Sequence, residues 1–237
     1  MDDEWEVANS RLFSRWGEKR VHDMARRHEP AIIFFLDHMR ETHPDILHGK
    51  HEGKTFSILD VGCGGGHLLM ALVKKHPSIL NHARLTGIDI APSMIGMAQR
   101  VKGELFKELE VSLNQDALAF KYQNLLELKR EECQYDIIVS LESIYYVSDM
   151  DQGLSLIHER LEDGGTFIIM NEDGMMKTGN KMLDQKRLIE LKGEIDVKYF
   201  HFLSLQQYKN KLQETGFQDV CVKAGKGFHF IIAKKES

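Results

Sequence analysis

The sequence predicts an α/β fold in which a mostly parallel sheet is covered by helices on both faces. From residue 56 onward, short apolar runs typical of buried strands alternate with segments of helical periodicity. A glycine-rich turn follows the first apolar run, and two apolar segments joined by a Gly225–Gly227 turn close the chain as an antiparallel pair. With 237 residues, of which 42% are hydrophobic, the chain can bury such a core without disulfides.

The first 50 residues are predicted to be a helical lid on a core of residues 51–237, within one domain overall. Apolar residues recur at roughly helical spacing from Trp5 to Met24. Pro30 is expected to mark the start of a second helix from Ala31 to about Thr42, since proline is tolerated in the first turn and disrupts a helix interior.

The core is predicted to begin with a strand and a helix and to continue by alternation. Because strands are apolar runs, we place them at residues 56–61, 84–90, 110–113, 136–141 and 166–170, with the closing pair at 219–223 and 228–233. Helices follow at residues 67–75, 93–107, 151–161 and 206–215. Gly216 is expected to end the last helix as its C-cap.

Composition narrows the class of protein. The net charge of −5 argues against a nucleic-acid partner, since such proteins carry a basic face. The three cysteines lack paired spacing and indicate reduced thiols, and the twelve histidines form no pairing motif, so no metal site is expected. The acidic N-terminus and the lack of a long apolar run predict a cytoplasmic protein without membrane contact.

A glycine-rich loop follows the first predicted strand. Asp60 is followed at alternate positions by Gly62, Gly64 and Gly66, and glycine lets a ligand approach the backbone closely. The helix that begins next offers free N–H groups to a polar ligand. His67 stands where a dinucleotide fingerprint requires glycine, and the Gly-Lys-Ser/Thr ending of a P-loop is absent.

Two more acidic residues are predicted at strand ends, where open α/β sheets bind ligands. Asp89 ends the second strand about 20 residues beyond the loop, the position of an acid that bonds ribose hydroxyls. Asp116, with Ala117 after it, is placed at the end of the third strand, where a carboxylate can accept a hydrogen bond from an adenine amino group. Together with Asp60, these acids favour a nucleoside ligand without pyrophosphate.

The pattern over roughly residues 55–235 resembles the class I S-adenosylmethionine-dependent methyltransferase family. The resemblance implies S-adenosylmethionine as cofactor and S-adenosylhomocysteine as product. It implies that the glycine loop holds the methionine part, Asp89 the ribose and Asp116 with Ala117 the adenine. The cofactor-binding residues are therefore expected to be Asp60, Gly62, Gly64, Gly66, Asp89, Ile90, Met94, Asp116, Ala117 and Leu141.

A narrower resemblance concerns the methyl acceptor. The segments Arg11–Gly17 and Leu141–Val147 are similar to segments of histamine N-methyltransferases. The resemblance implies a pocket for an amine or imidazole group, with Glu29 as the carboxylate partner of the acceptor. The candidate catalytic residues are Phe13, Glu29, Glu142 and Tyr146.

Departures from that family leave the acceptor open. The family has glutamine at the position of Glu142 and tryptophans where this chain has residues 173–177, so histamine itself is not predicted. The leading hypothesis is N-methylation of a small molecule by a protein that is plausible as a monomer. The alternatives are O- or C-methylation, which would need a distinct base such as His22, His28 or His201, or a catalytically silent regulatory protein that binds S-adenosylmethionine.

Overall fold

The computed structural model describes residues 2–49, 53–109, 113–130, 132–192 and 197–237. Its strands are β1 (Phe56–Val61), β2 (Ala83–Asp89), β3 (Leu118–Tyr122), β4 (Tyr135–Leu141), β5 (Leu161–Glu172), β6 (Gln218–Gly225) and β7 (Phe228–Lys234). Within the described residues they form one sheet in the order β3-β2-β1-β4-β5-β7-β6. The strands β1 to β5 run parallel, and β7 pairs antiparallel with both β5 and β6. This confirms the predicted sheet and its closing pair.

Helices cover both faces of the sheet, as predicted. They are α1 (Asp2–Ser14), α2 (Glu18–Thr42), α3 (Pro44–His48), α4 (His67–Lys75), α5 (Pro92–Glu108), α6 (Met150–Arg160), α7 (Lys181–Leu191) and α8 (Leu205–Thr215). Side chains alternate along the strands, so Ile58 packs with α2 to α5 and Leu59 packs with α6 and α8. No helix of the described segments combines the length and apolarity that are needed to cross a bilayer.

Two sequence expectations need correction. Pro30 lies inside α2 and does not begin a helix. The third strand was expected at residues 110–113, of which 110–112 lie outside the described residues, and the strand in this position of the sheet is β3. Asp116 therefore precedes β3 and does not follow it.

The carboxyl ends of β1, β2 and β4 meet at one edge of the sheet. Asp60 pairs with Gly87 of β2 on one side and with Val139 of β4 on the other. Because the strands are parallel, the loops that follow them gather at this edge, which is where α/β sheets bind ligands.

The N-terminal helix α1 lies over this edge. Trp5 Nε1 donates to the carbonyl oxygen of Tyr146 at 2.6 Å, and Asn9 Nδ2 donates to the carbonyls of Tyr146 and Tyr199, each at 3.2 Å. Asn9 is only 2% exposed, so these bonds are shielded from water. They join α1 to the loop after β4 and to the segment before α8.

Candidate active site

A cavity of about 400 Å³ lies between the carboxyl ends of the strands and the helices α1 and α2. Most of the predicted site residues line it: Phe13, Asp60, Gly62, Gly64, Asp89, Ile90, Met94, Leu141, Glu142 and Tyr146. Four further predicted residues, all within the described ranges, do not: Glu29, Gly66, Asp116 and Ala117. The cavity therefore brings together residues predicted for the cofactor and residues predicted for the acceptor.

The glycines of the loop have different roles. A Cβ atom on Gly62 would lie 2.2 Å from Cβ of Ser143, so this glycine allows the loop to pack on the end of β4. Gly64 has φ of 51°, and a Cβ built there meets no atom within 4 Å among the described residues. Gly64 thus leaves room for a ligand beside the backbone. A Cβ on Gly66 would meet the ring of Phe120 at 2.6 Å, which gives this residue a packing role behind the cavity.

Two buried carboxyl groups adjoin the glycine loop. Asp60 is 1% exposed, and no group in the described part of the chain donates a hydrogen bond to its Oδ2 atom. Burial raises the pKa of Asp60 to about 8, and the carboxylate of Asp89 adds to this effect. Burial also raises the pKa of Asp89, although this carboxylate accepts hydrogen bonds from the N–H groups of Ala91 at 2.8 Å and Gly64 at 2.9 Å.

These residues fit S-adenosylmethionine. An acid at the end of the second strand is placed to bond ribose hydroxyls, and the bonds from Gly64 and Ala91 leave lone pairs of Asp89 for that purpose. The buried Asp60 oxygen lies beside the open space at Gly64 and can accept from the amino group of the methionine part.

The two residues predicted to contact adenine, Asp116 and Ala117, do not line the cavity. Asp116 is exposed and lies at the amino end of β3, far from the edge that binds ligands. At the carboxyl end of β3 the cavity is lined by Gln123, Asn124 and Leu125. The sequence did not predict these residues, because the third strand was expected at residues 110–113 and the last two residues of β3 are exposed.

Glu142 lines the cavity directly after β4. It follows β4 with φ of 55°, a left-handed conformation that is uncommon for residues other than glycine and is often found at functional sites. Its Oε2 atom accepts from the Tyr145 hydroxyl at 2.7 Å, and its Oε1 atom accepts from the N–H of Glu172. Burial raises the pKa of Glu142 to about 8, and the carboxylate of Glu172 contributes to the increase.

A second carboxylate and a histidine face Glu142. Glu172, at the end of β5, is 6% exposed and accepts a hydrogen bond from Arg27 of α2. Its other oxygen lies 3.9 Å from Nε2 of His28. Burial lowers the pKa of His28 to about 4, assisted by Arg27 and His67, so the imidazole is neutral at neutral pH. The sequence analysis missed Glu172 and named His28 only as an alternative base.

Glu29 does not reach the cavity. It is exposed on α2, whereas the preceding residue, His28, lines the cavity. Neighbouring residues of an α-helix point about 100° apart, so a shift of one position exchanges the inner face for the outer one. At this turn of α2, His28 lines the cavity and Glu29 does not.

Aromatic rings form one wall of the cavity. The ring of Phe13 meets that of Tyr146 edge to face, with centroids 5.0 Å apart, and makes a similar contact with Trp16 at 5.0 Å. Tyr145 lies against Tyr146 at 4.8 Å. Because Phe13 belongs to α1, the N-terminal helix completes the wall.

Residues 12–222 match the family model described as a methyltransferase domain. The chain therefore belongs to the methyltransferase-domain family. This membership confirms the predicted S-adenosylmethionine-dependent methyltransferase class and its cofactor.

Three individual proteins similar to this chain share 15–30% of its sequence in the matched regions. A ubiquinone biosynthesis O-methyltransferase of Pseudomonas syringae pv. tomato is 30% identical over 65% of this chain and 56% of its own length. The crystal structure of the DszA carbon methyltransferase superimposes with a TM-score of 0.65 at 17% identity, covering 94% of this chain and 56% of that one. The magnesium protoporphyrin IX methyltransferase of Synechocystis PCC 6803, with bound S-adenosylhomocysteine, gives 0.60 at 15% identity and covers 95% and 92%.

The curated relatives are longer than the matched region, which spans 35% to 56% of their length. Two of the three relatives described above are named for methylation of oxygen or carbon. The likeness to the solved structures concerns the fold, so the methyl acceptor has to be argued from the cavity.

Proposed function

We propose that this protein transfers a methyl group from S-adenosylmethionine to the nitrogen of a small cationic amine or imidazole. The observation that carries the proposal is the pair of carboxyl groups, Glu142 and Glu172, in the same cavity as the glycine loop. When bound, S-adenosylmethionine supplies a methyl group that its positively charged sulfur activates.

The charge of the cavity supports a cationic acceptor. Among the described lining residues, six are acids and three are arginines: Glu6, Asp60, Asp89, Glu142, Glu172 and Glu190 against Arg20, Arg27 and Arg187. Burial keeps Asp60 and Glu142 largely protonated at neutral pH, and a bound cation would favour their ionised forms. A cleft lined by one sign of charge attracts ligands of the opposite sign. The aromatic wall favours the same ligands, because a cation over an aromatic face gains about 0.5–2 kcal/mol.

In this proposal the acceptor binds beside Glu142 and Glu172, and these two residues have separate roles. A nitrogen attacks only as the neutral base, so the ammonium proton has to leave first. The ionised form of Glu142, which a bound cation favours, accepts this proton, while Tyr145 and the N–H of Glu172 hold its carboxyl group in place. Glu172, held by Arg27, orients the acceptor. The first 50 residues act as a lid on the core of residues 51–237, so that the cavity excludes water during the reaction.

Oxygen methylation is the second candidate. It is favoured by relatives that are named O-methyltransferases and by the neutral imidazole of His28, which can accept a proton from a hydroxyl group. In either case the partner is a small molecule. The cytoplasmic location and the monomeric state expected from the sequence stay predictions.

A methyl-transfer screen over amines, imidazoles, phenols and carboxylic acids tests the proposal. We expect turnover of amines or imidazoles. Turnover of phenols or acids alone would reject nitrogen as the acceptor, and binding of S-adenosylhomocysteine without any turnover would favour a silent binding protein.

Substitution of the two carboxyl groups gives a sharper test. With the amine identified by the screen, Glu142→Gln and Glu172→Gln should each lower kcat/KM by about 100-fold or more, because removing a positioned acid or base costs about 10²–10⁴ in rate. Glu29→Gln is the matched control, since Glu29 is an exposed carboxylate next to His28, and it should keep the rate of the unmodified protein. Equal rates for all three variants would refute the role of the pair.

A further inference from the structure

We propose that His28, Glu142 and Glu172 form a binding site for a divalent transition-metal cation, with Zn²⁺ as the best fit. The proposal goes beyond methyl transfer, because such a cation would bind without cofactor or acceptor. The three side chains come from α2, the end of β4 and the end of β5, so only the folded chain brings them together.

The spacing of the donor atoms is close to that of a metal site. One ligand atom of each residue lies within 4.8 Å of the other two, and His28 Nε2 is 3.9 Å from Glu172 Oε1. In a tetrahedral zinc site with bonds of about 2.0–2.2 Å, two ligand atoms are about 3.3–3.6 Å apart. The donors are somewhat farther apart than this, and side-chain rotations that move them by about 1 Å would bring them around one ion.

The histidine supplies an independent observation. Its side chain is 14% exposed, and its Nε2 atom makes no hydrogen bond within the described part of the chain. A nitrogen that is withdrawn from water without a hydrogen bond is costly for the folded protein. This atom faces the carboxyl groups across the cavity, and a metal ion between them would satisfy it.

The donor set selects the kind of metal. One imidazole nitrogen with carboxylate oxygens suits Zn²⁺, whereas Mg²⁺ and Ca²⁺ require six or more oxygen ligands. Three protein ligands leave a fourth position open toward the cavity, as in catalytic zinc sites. Arg27 and Tyr145 each bond one of the carboxyl groups and fix its orientation, a support that metal ligands usually have.

Such a site has a consequence for the acceptor. Zn²⁺ and a cationic amine would use the same two carboxyl groups, and they cannot occupy them together. The bound metal is therefore expected to oppose methyl transfer to an amine.

Calorimetric titration of the full chain with Zn²⁺ alone tests the site. The exposed thiols of Cys133 and Cys221 also bind zinc, so the titration uses the Cys133→Ser/Cys221→Ser protein as its reference. We expect one site in this reference, and His28→Gln and Glu172→Gln should each weaken it by at least about tenfold, the lower bound for disturbing a metal site. Glu29→Gln should bind as the reference does.

Two further measurements distinguish loss of the metal site from misfolding of a variant. Thermal unfolding shows whether each variant is folded, and the visible absorption of added Co²⁺ reports nitrogen and oxygen ligation directly. A reference protein without a zinc site, or unchanged affinity in folded His28→Gln and Glu172→Gln variants, would overturn the assignment. Because the titration contains neither cofactor nor acceptor, its outcome is independent of the methyl-transfer screen.

Discussion

At the scale of single residues, substitutions of two glycines in the same loop should have different effects, one on stability and the other on cofactor binding. Gly62→Ala places a methyl group 2.2 Å from Cβ of Ser143, and such overpacking lowers the free energy of unfolding by about 1–3 kcal/mol. Gly64→Val puts its side chain into open space in the cavity, so we expect loss of binding to S-adenosylhomocysteine with a stability loss of only about 1–2 kcal/mol from its left-handed backbone.

Chemical denaturation and ligand titration of both variants distinguish these effects. If Gly64→Val still binds S-adenosylhomocysteine as tightly as the unmodified protein, the cofactor does not lie at this part of the loop. The prediction also fails if Gly62→Ala is as stable as the unmodified protein.

The limits of sequence analysis are clearest at His28 and Glu29. The resemblance pointed to a turn of α2 that lines the cavity through His28, but it chose the outward-facing Glu29, because helix rotation is not visible in a motif of a few residues. The approach of His28, Glu142 and Glu172 could not be predicted, since these residues are far apart along the chain and meet only where α2 crosses the ends of β4 and β5. By contrast, Asp60 and Asp89 were predictable, because their position at strand ends is a local property.

At the scale of elements, the attachment of α1 depends on Asn9. Asn9→Ala removes its hydrogen bonds to the carbonyls of Tyr146 and Tyr199, which contribute about 1 kcal/mol each. We expect amide hydrogen exchange in α1 to accelerate by about tenfold or more, while exchange in the sheet stays unchanged. Arg11→Ala, an exposed position of the same helix, is the control. Equal exchange in both variants would show that α1 is held by other contacts.

Strong local patterns made some elements predictable. The boundaries of β1 and α4 agree with the sequence prediction, because a largely apolar strand, a glycine turn and an amphipathic helix follow one another there. The strand β3 was missed because it is a five-residue edge strand whose last two residues are exposed. Pro30 was taken as a helix start, yet packing of α2 against the core maintains the helix through it.

At the scale of the whole molecule, stability should decrease from pH 6.5 to about pH 8. Asp60 has a pKa of about 8 in the folded protein and 3.8 as its ordinary value, so between these values the folded state binds more protons than the unfolded one. The raised pKa of Asp60 therefore contributes stability that is fully present below pH 3.8 and is lost progressively as the pH rises to about 8. His28 and His43, with pKa lowered to about 4, act in the opposite direction only below pH 6.5.

Urea denaturation between pH 6.5 and about pH 8.5 measures this dependence. Over this interval, the free energy of unfolding of Asp60→Asn should fall by less than that of the unmodified protein, and the difference should be on the order of 1 kcal/mol. A variant whose slope equals that of the unmodified protein would mean that Asp60 is already ionised in the folded state.

The position of the N-terminal helices also determines the optical properties of the protein. The chain has two tryptophans, and both lie in the N-terminal region of α1 and α2. Trp5 donates a hydrogen bond to the Tyr146 carbonyl, and Trp16 lines the cavity. The intrinsic tryptophan emission therefore originates entirely beside the cavity and not in the sheet. A ligand that enters the cavity is expected to change the surroundings of the Trp16 indole, so the fluorescence of the unlabelled protein should report whether the cavity is occupied.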